Sequence, residues 1–357
     1  MTRKTRVWLG VTLALLALGT AAAWLVVRTM YAAMFEPGTV GERIAQAGER
    51  FDPPPQASDS ARWQVTPDVS LHHVSTGSGD DVLLVHGGPG YPPRQDWRAT
   101  TTLARSYRVH AYDQRGCGRS TRPFTKPPEG NFSDKLRAVE SRLGLAAQIA
   151  DLERIRRILG RDRVIVIGHS FGALIAALYA AEFPDRVQAL VLIAPAPLLV
   201  MPKEGPDLLA LVRNRLPESR RPEYERYLSG YFDFKAFLDR DEASLSHYFG
   251  EFRDFYAAAT GAPSVANDGD AGGFMTVGVY ASLGRSHDWR PAMRRVRAPT
   301  LVLHGADDLQ PESDTRAVAD TIPGARVEVI AASGHFLPDD APDAMADAVR
   351  RFLRGAR

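Results

Sequence analysis

Three residue types needed for acyl transfer occur in order along this chain. Ser170 stands in Gly168-His169-Ser170-Phe171-Gly172, directly after the β-branched run Arg163-Val-Ile-Val-Ile167 and directly before the apolar stretch that starts at Ala173. A Gly-x-Ser-x-Gly turn between a strand and a helix lifts the serine hydroxyl clear of the backbone. Glycines flank it because side chains there would collide with the packed strand and helix. The N-terminus of the following helix offers unbonded N–H groups and a partial positive charge to an oxyanion. The pattern predicts a nucleophile elbow with Ser170 as nucleophile.

A serine needs a base, and the base needs an orienting acid. His335 lies in Ala332-Ser-Gly334-His335-Phe-Leu, a loop after the last strand-like run. An imidazole with an ordinary pKa near 6.5 suits a base at neutral pH. The acid is expected just past Thr300–His304, where Gly305-Ala-Asp307-Asp308 follows. Both aspartates qualify on position, and Asp308 is the choice. For the oxyanion, one N–H comes from Phe171 of the elbow. The second is expected from the backbone of Gly88 in Val82-Leu-Leu-Val-His86-Gly87-Gly88-Pro89-Gly90, since glycines let the backbone approach a ligand closely.

These residues need a scaffold. Strand-like runs at 71–75, 82–86, 107–112, 163–167, 187–193, 300–304 and 326–330 alternate with helix-like runs. In the run 145–159, Ile149, Leu152, Ile155 and Leu159 recur at helical spacing and Gly160 ends it; Met345 to Leu353 forms a closing helix. Continuous apolar strands separated by helices predict a mostly parallel sheet covered on both faces. Residues 198–285 break the alternation. They are helix-rich and carry Tyr224, Tyr227, Tyr231, Phe232, Phe237, Tyr248, Phe249, Phe252, Phe255 and Tyr256. Their position predicts a helical cap over the carboxyl ends of the strands. The glycine-rich stretch 262–273 is expected as a mobile loop gating the pocket.

Composition excludes several partners. Lys+Arg 44 against Asp+Glu 42 leaves no basic surplus for nucleic acid. The single cysteine, Cys117, rules out an internal disulfide. No Cys/His spacing matches a metal site, so no metal and no cofactor are expected. The N-terminus has an address. Residues 1–6 hold Arg3, Lys4 and Arg6, and Val7 to Val27 is uncharged with Trp8 and Trp24 near its ends. As a helix this run would span roughly 30 Å, one bilayer core. The basic leader predicts a single-pass anchor with the rest of the chain on the periplasmic or extracellular side. The alternative is a secretory signal cut near Ala21-Ala-Ala23. Residues 28–61, with Glu36-Pro-Gly38 and Asp52-Pro-Pro-Pro-Gln56, are expected as a stalk.

His86-Gly-Gly-Pro-Gly90, Asp113-Gln-Arg-Gly-Cys-Gly-Arg-Ser120, the elbow and Gly334-His335 together resemble the α/β-hydrolase superfamily, and more narrowly the proline iminopeptidase family, serine peptidases that remove an N-terminal proline. The resemblance covers residues 62–200 and 286–357. It implies an α/β-hydrolase fold with core segments at 62–197 and 286–357 and an inserted helical cap at 198–285. It also implies Ser170 as nucleophile, Asp308 as acid, His335 as base and Gly88 and Phe171 as oxyanion donors, with Asp113 to Ser120 structural. The chain departs from the family at the elbow, where Gly-Gly-Ser-Trp-Gly is usual. The cap also lacks the tryptophan–glutamate pair that holds a substrate amine, and Leu245 replaces a second family glutamate. Glu242 and Glu251 are the candidates to take over that role. Epoxide hydrolase and dehalogenase chemistry on this fold use an aspartate where Ser170 stands. The expected function is a serine hydrolase of small esters or amides, including short peptides. The rivals are an esterase or lipase-like enzyme without aminopeptidase activity, and a non-catalytic binding protein on the same scaffold.

Overall fold

The computed structural model describes residues 33–57, 61–93, 97–262 and 267–355. Eight strands form one sheet in the order β1-β2-β4-β3-β5-β6-β9-β10. These are β1 (Arg62–Thr66), β2 (Val69–Thr76), β3 (Asp80–Val85), β4 (Tyr107–Tyr112), β5 (Val164–His169), β6 (Val187–Ile193), β9 (Thr300–Gly305) and β10 (Arg326–Ile330). The short strands β7 (Val200–Met201) and β8 (His287–Asp288) lie outside it. From β4 to β10 all neighbours are parallel; β1 and β2 run antiparallel at one edge.

The central strands are apolar on both faces because both are covered. In β5, Val164 and Val166 pack toward helices Leu145–Ile158 and Phe171–Glu182, while Ile165 and Ile167 pack toward helices Arg98–Leu103 and Pro342–Gly355. This alternation is the two-residue period of a strand, and each such side chain contributes about 1.5–3 kcal/mol of burial. The parallel order carries the ends of β3, β5 and β9 to one edge of the sheet, where a ligand site is expected.

The segment between β6 and β9 is a helical insertion. Strands β7 and β8 pair antiparallel at its base and close it like a collar. Its helices Leu208–Arg215, Arg221–Ser229, Phe234–Phe237, Glu242–Gly250, Phe252–Thr260 and Phe274–Leu283 bury Tyr224, Tyr227, Tyr231, Phe237, Phe249 and Phe255 against one another and the main core. The expected mobile loop at 262–273 is fastened wherever the structure describes it. The Ser246 hydroxyl donates to the carbonyls of Gly269 and Ala271, Arg122 donates to those of Gly269, Asp270 and Ala271, and Gly272 N–H donates to Gly90 O at 2.8 Å. Glycine content signalled conformational freedom; the bonds to Arg122 and Gly90 remove it. Residues 263–266 lie outside the described part.

The stalk is also corrected. Residues 33–57 are packed against the domain, because Phe35, Val40 and Ile44 supply an apolar face that joins the main core. Met34 and Phe35 donate backbone bonds to Ala281 O and Ser282 O, and the Phe35 ring meets Trp289 edge-on at 5.5 Å. The breaking Pro-Gly and Pro-Pro-Pro motifs only bracket the helix Val40–Gln46. Gln56 reaches β1, trading two hydrogen bonds with the Gln64 backbone at 2.9 and 3.0 Å. Residues 1–6 and the apolar run 7–27 lie outside the described residues, and within those no helix is long and apolar enough to cross a membrane.

Candidate active site

The chain leaves β5 at His169 and enters the helix Phe171–Glu182 with Ser170 as the only connecting residue. Ser170 has φ 54° and ψ −119°, a conformation that costs a non-glycine residue about 1–3 kcal/mol and persists only where packing enforces it. The packing is visible at the glycines. A Cβ on Gly172 would lie 2.2 Å from Val85 O, and one on Gly168 would lie 2.4 Å from Gly172 O. The helix therefore presses onto β3 and its own strand with no room for a side chain, and the serine is held at the bend.

His335 comes from the loop after β10, and Asp308 from the turn after β9. The Ser170 hydroxyl lies 2.9 Å from His335 Nε2, and Asp308 Oδ2 lies 2.9 Å from His335 Nδ1. Asp308 is also fixed by the Gln310 N–H, which donates to Oδ1 at 2.9 Å. Burial pushes the Asp308 carboxyl up, but the His335 imidazole and these hydrogen bonds outweigh it and hold the group below the usual carboxylate value. Asp307, the other aspartate that qualified by position, is exposed. Ser170 and His335 are both buried. An ionised carboxylate, an imidazole and a hydroxyl in a line, shielded from water, can move a proton from serine to histidine as the serine attacks a carbonyl.

The oxyanion candidates also converge on this edge. Phe171 is the first residue of the helix and Gly88 sits in the loop after β3; among the described residues neither amide N–H has an acceptor. The Gly88 loop is held from below. His86 Nδ1–H donates to Gly87 O at 2.9 Å, Gln114 N–H donates to His86 Nε2 at 3.1 Å, and the Gln114 side chain donates to His86 O at 2.7 Å. Asp113 accepts from Arg119 N–H at 2.8 Å and, through its carbonyl, from the Ser120 hydroxyl at 2.6 Å. Arg115 is fully buried between Asp151, at 2.6 Å, and Glu49, at 3.2 Å. Gln114 thus holds the Gly88 loop, while Asp113 and Ser120 fix the 113–120 turn and Arg115 ties it to Asp151 and Glu49.

Of the two glutamates put forward as amine holders, Glu242 is fully engaged elsewhere. Glu242 accepts from Arg122, from Gly273 N–H at 3.1 Å and from Phe274 N–H at 2.7 Å, so it caps the helix Phe274–Leu283. Glu251 is partly exposed and lies 3.8 Å from His247. Aromatic and imidazole rings crowd the triad instead, among them His169, which abuts a glycine at a strand end and is expected from the sequence, with His86 and His304, to support or pack the site. Tyr256, from the cap helix Phe252–Thr260, places its ring 5.9 Å from His335, and Phe336 places its ring 5.8 Å from Tyr256. His169 touches His335 through its ring and a hydrogen bond. The aromatic richness of 198–285 was the only signal for Tyr256, and it did not separate this ring from its neighbours.

The geometry defines a strand–serine–helix elbow completed by an acid after β9 and a histidine after β10. The chain belongs to the α/β-hydrolase fold family, whose model matches residues 81–342. It is 28% identical to the 2-hydroxy-6-oxo-2,4-heptadienoate hydrolase of Pseudomonas putida over 76% of this chain and 87% of that one. It is 25% identical to the proline iminopeptidase of Lactobacillus delbrueckii subsp. bulgaricus over 71% of this chain and 83% of that one. Among solved structures, a thermophilic esterase from Thermogutta terrifontis superposes with a TM-score of 0.52 at 24% identity, covering 81% of this chain and 94% of that one, a likeness of fold.

Proposed function

We propose that this protein is a serine hydrolase of small neutral esters or amides. Ser170 attacks the carbonyl carbon while His335 takes its proton and Asp308 holds the imidazole. The N–H groups of Phe171 and Gly88 receive the oxyanion, and the leaving group departs with the proton returned by His335. Water then repeats the sequence on the acyl-enzyme and frees Ser170, with no cofactor required. The observation that carries this reading is the unbroken line Asp308–His335–Ser170, with both links at 2.9 Å and the serine on a strained elbow. A fluorophosphonate probe is expected to label the wild type at Ser170 and to leave Ser170→Ala unlabelled. Folded wild type that does not label would overturn the reading.

A second reading, removal of an N-terminal proline from short peptides, is favoured by the His86–Gly90 and Asp113–Ser120 motifs and by the iminopeptidase relative. A free α-amine is a cation that a closed pocket binds only with a carboxylate. The engagement of Glu242 favours neutral substrates over it. The same proposal assigns residues 7–27 as a membrane anchor with the domain on the periplasmic or extracellular side. A mature N-terminus near residue 24, read by mass spectrometry, would replace the anchor with a cleaved signal.

A further inference from the structure

We infer that His169 is a positioning residue that ties the base to the nucleophile, through a hydrogen bond from its ring to the backbone of His335. The inference rests on the serine hydrolase reading and names how that site keeps its alignment.

His169 Nε2 lies 2.8 Å from His335 O, both buried. A carbonyl only accepts, so Nε2 carries the proton, which fixes the tautomer. Among the described residues no other donor reaches this carbonyl. The ring is wedged in place. It packs against the His335 ring at 4.9 Å, the Phe336 ring at 5.4 Å and, edge-on, the Trp97 ring at 5.5 Å. A Cβ on Gly87 would stand 3.3 Å from His169 Nδ1, so the oxyanion loop backs onto the same imidazole.

The remaining fastenings of the base loop all lead elsewhere. Ser333 bonds to Asp307 and Ile330, and Gly334 N–H donates to Asp340 at 2.9 Å. Those bonds join the loop to β9, β10 and the helix Leu337–Asp340. His169 alone among these groups belongs to β5, one peptide bond from Ser170. Its hydrogen bond therefore couples the position of His335 directly to that of the serine, which bonds through Nε2 at 2.9 Å. Burial and the neighbouring His335 push the His169 pKa down, which makes its ring a poor proton acceptor beside the catalytic imidazole. A misplacement of about 1 Å between reacting groups costs on the order of 100-fold in rate.

The test compares three variants on a p-nitrophenyl ester, with the fluorophosphonate labelling rate measured in parallel. His169→Gln keeps an N–H donor at the reach of Nε2 and is expected to stay within about 5-fold of wild-type kcat. His169→Leu removes the donor but keeps an apolar side chain, and is expected to lose about 100-fold in kcat with KM changed less than about 2-fold. His169→Asn places its N–H too short and is expected to behave like the leucine variant. If His169→Leu does not fold, the Gln and Asn pair still discriminates, since a purely structural role would not be rescued by one amide and not the other. Equal kcat in Gln and Asn, or wild-type kcat in Leu, would overturn the inference. A wild type without activity or labelling would instead overturn the hydrolase reading.

Discussion

Asp308 Oδ2 stands 2.9 Å from His335 Nδ1 with its side chain buried, while Asp307, one residue earlier, is exposed. The two carboxylates therefore separate cleanly in their consequences. Asp308→Asn is expected to lower kcat by about 10³–10⁴-fold, because an amide no longer stabilises the imidazolium or its productive tautomer. Asp307→Asn is expected to stay within about 3-fold. Steady-state hydrolysis of one ester by both variants checks the pair, and equal losses would contradict the assignment.

The elbow was legible because all its information is local: a β-branched strand, two glycines and an apolar helix lie within twenty residues. The sheet was legible for the same reason, since each buried parallel strand is a continuous apolar run. The choice between Asp307 and Asp308 rests on how the turn leaves β9, which neighbouring residues do not encode. Residues 33–57 were misjudged because the Pro37-Gly38 and Pro53–Pro55 breakers read as a stalk, while Phe35, Val40, Ile44 and Glu49 act on partners more than sixty residues away. Glu242 looked available as an amine holder until the fold brought Arg122 and the helix at Phe274 to it.

The engagement of Glu242 yields a prediction about substrates. Uncharged p-nitrophenyl esters of short acids are expected to be hydrolysed at least about 10-fold faster, in kcat/KM, than an N-terminal prolyl amide. Two assays on one preparation check this. Comparable values would restore the aminopeptidase reading and require a carboxylate other than Glu242.

The histidines set an expected acid limit to stability. Burial, with the nearby His335, pushes the His169 pKa down to about 3, whereas an unfolded histidine titrates near 6.5. Between these values the unfolded chain binds a proton that the folded chain refuses, so stability falls as pH drops through this window. At about pH 5 the His169 contribution alone is a loss of about 2 kcal/mol. His86, His110 and His304 are held low by burial as well and act in the same direction. The carboxyl groups of Asp308, Asp81 and Glu153 are held below their usual values despite burial, and withdraw their support only at lower pH. Thermal unfolding is expected to shift downward from about pH 6.5. A Tm unchanged between about pH 7 and pH 5 would contradict it.

Glu49 joins the N-terminal segment to two fully buried arginines, lying 3.2 Å from Arg115 and 2.9 Å from Arg154, with Asp151 bridging both. Removing one partner of a buried ion pair leaves an uncompensated charge. Glu49→Ala is expected to destabilise the fold by about 3–5 kcal/mol, read as a fall in the urea midpoint. A loss under about 1 kcal/mol would show that the network stands without this segment.

The backbone bonds of Met34 and Phe35 to Ala281 and Ser282 also set a leash length. If the run 7–27 sits in a bilayer, the chain from Val27 to the bonded Met34 can span at most about 25 Å. A domain of this size is wider than such a leash. It would ride close to the membrane with the Ala281–Ser282 end of its last cap helix turned toward the lipid, unable to tumble freely. Its encounters with substrate would then follow the traffic along that surface more than the concentration in the surrounding fluid.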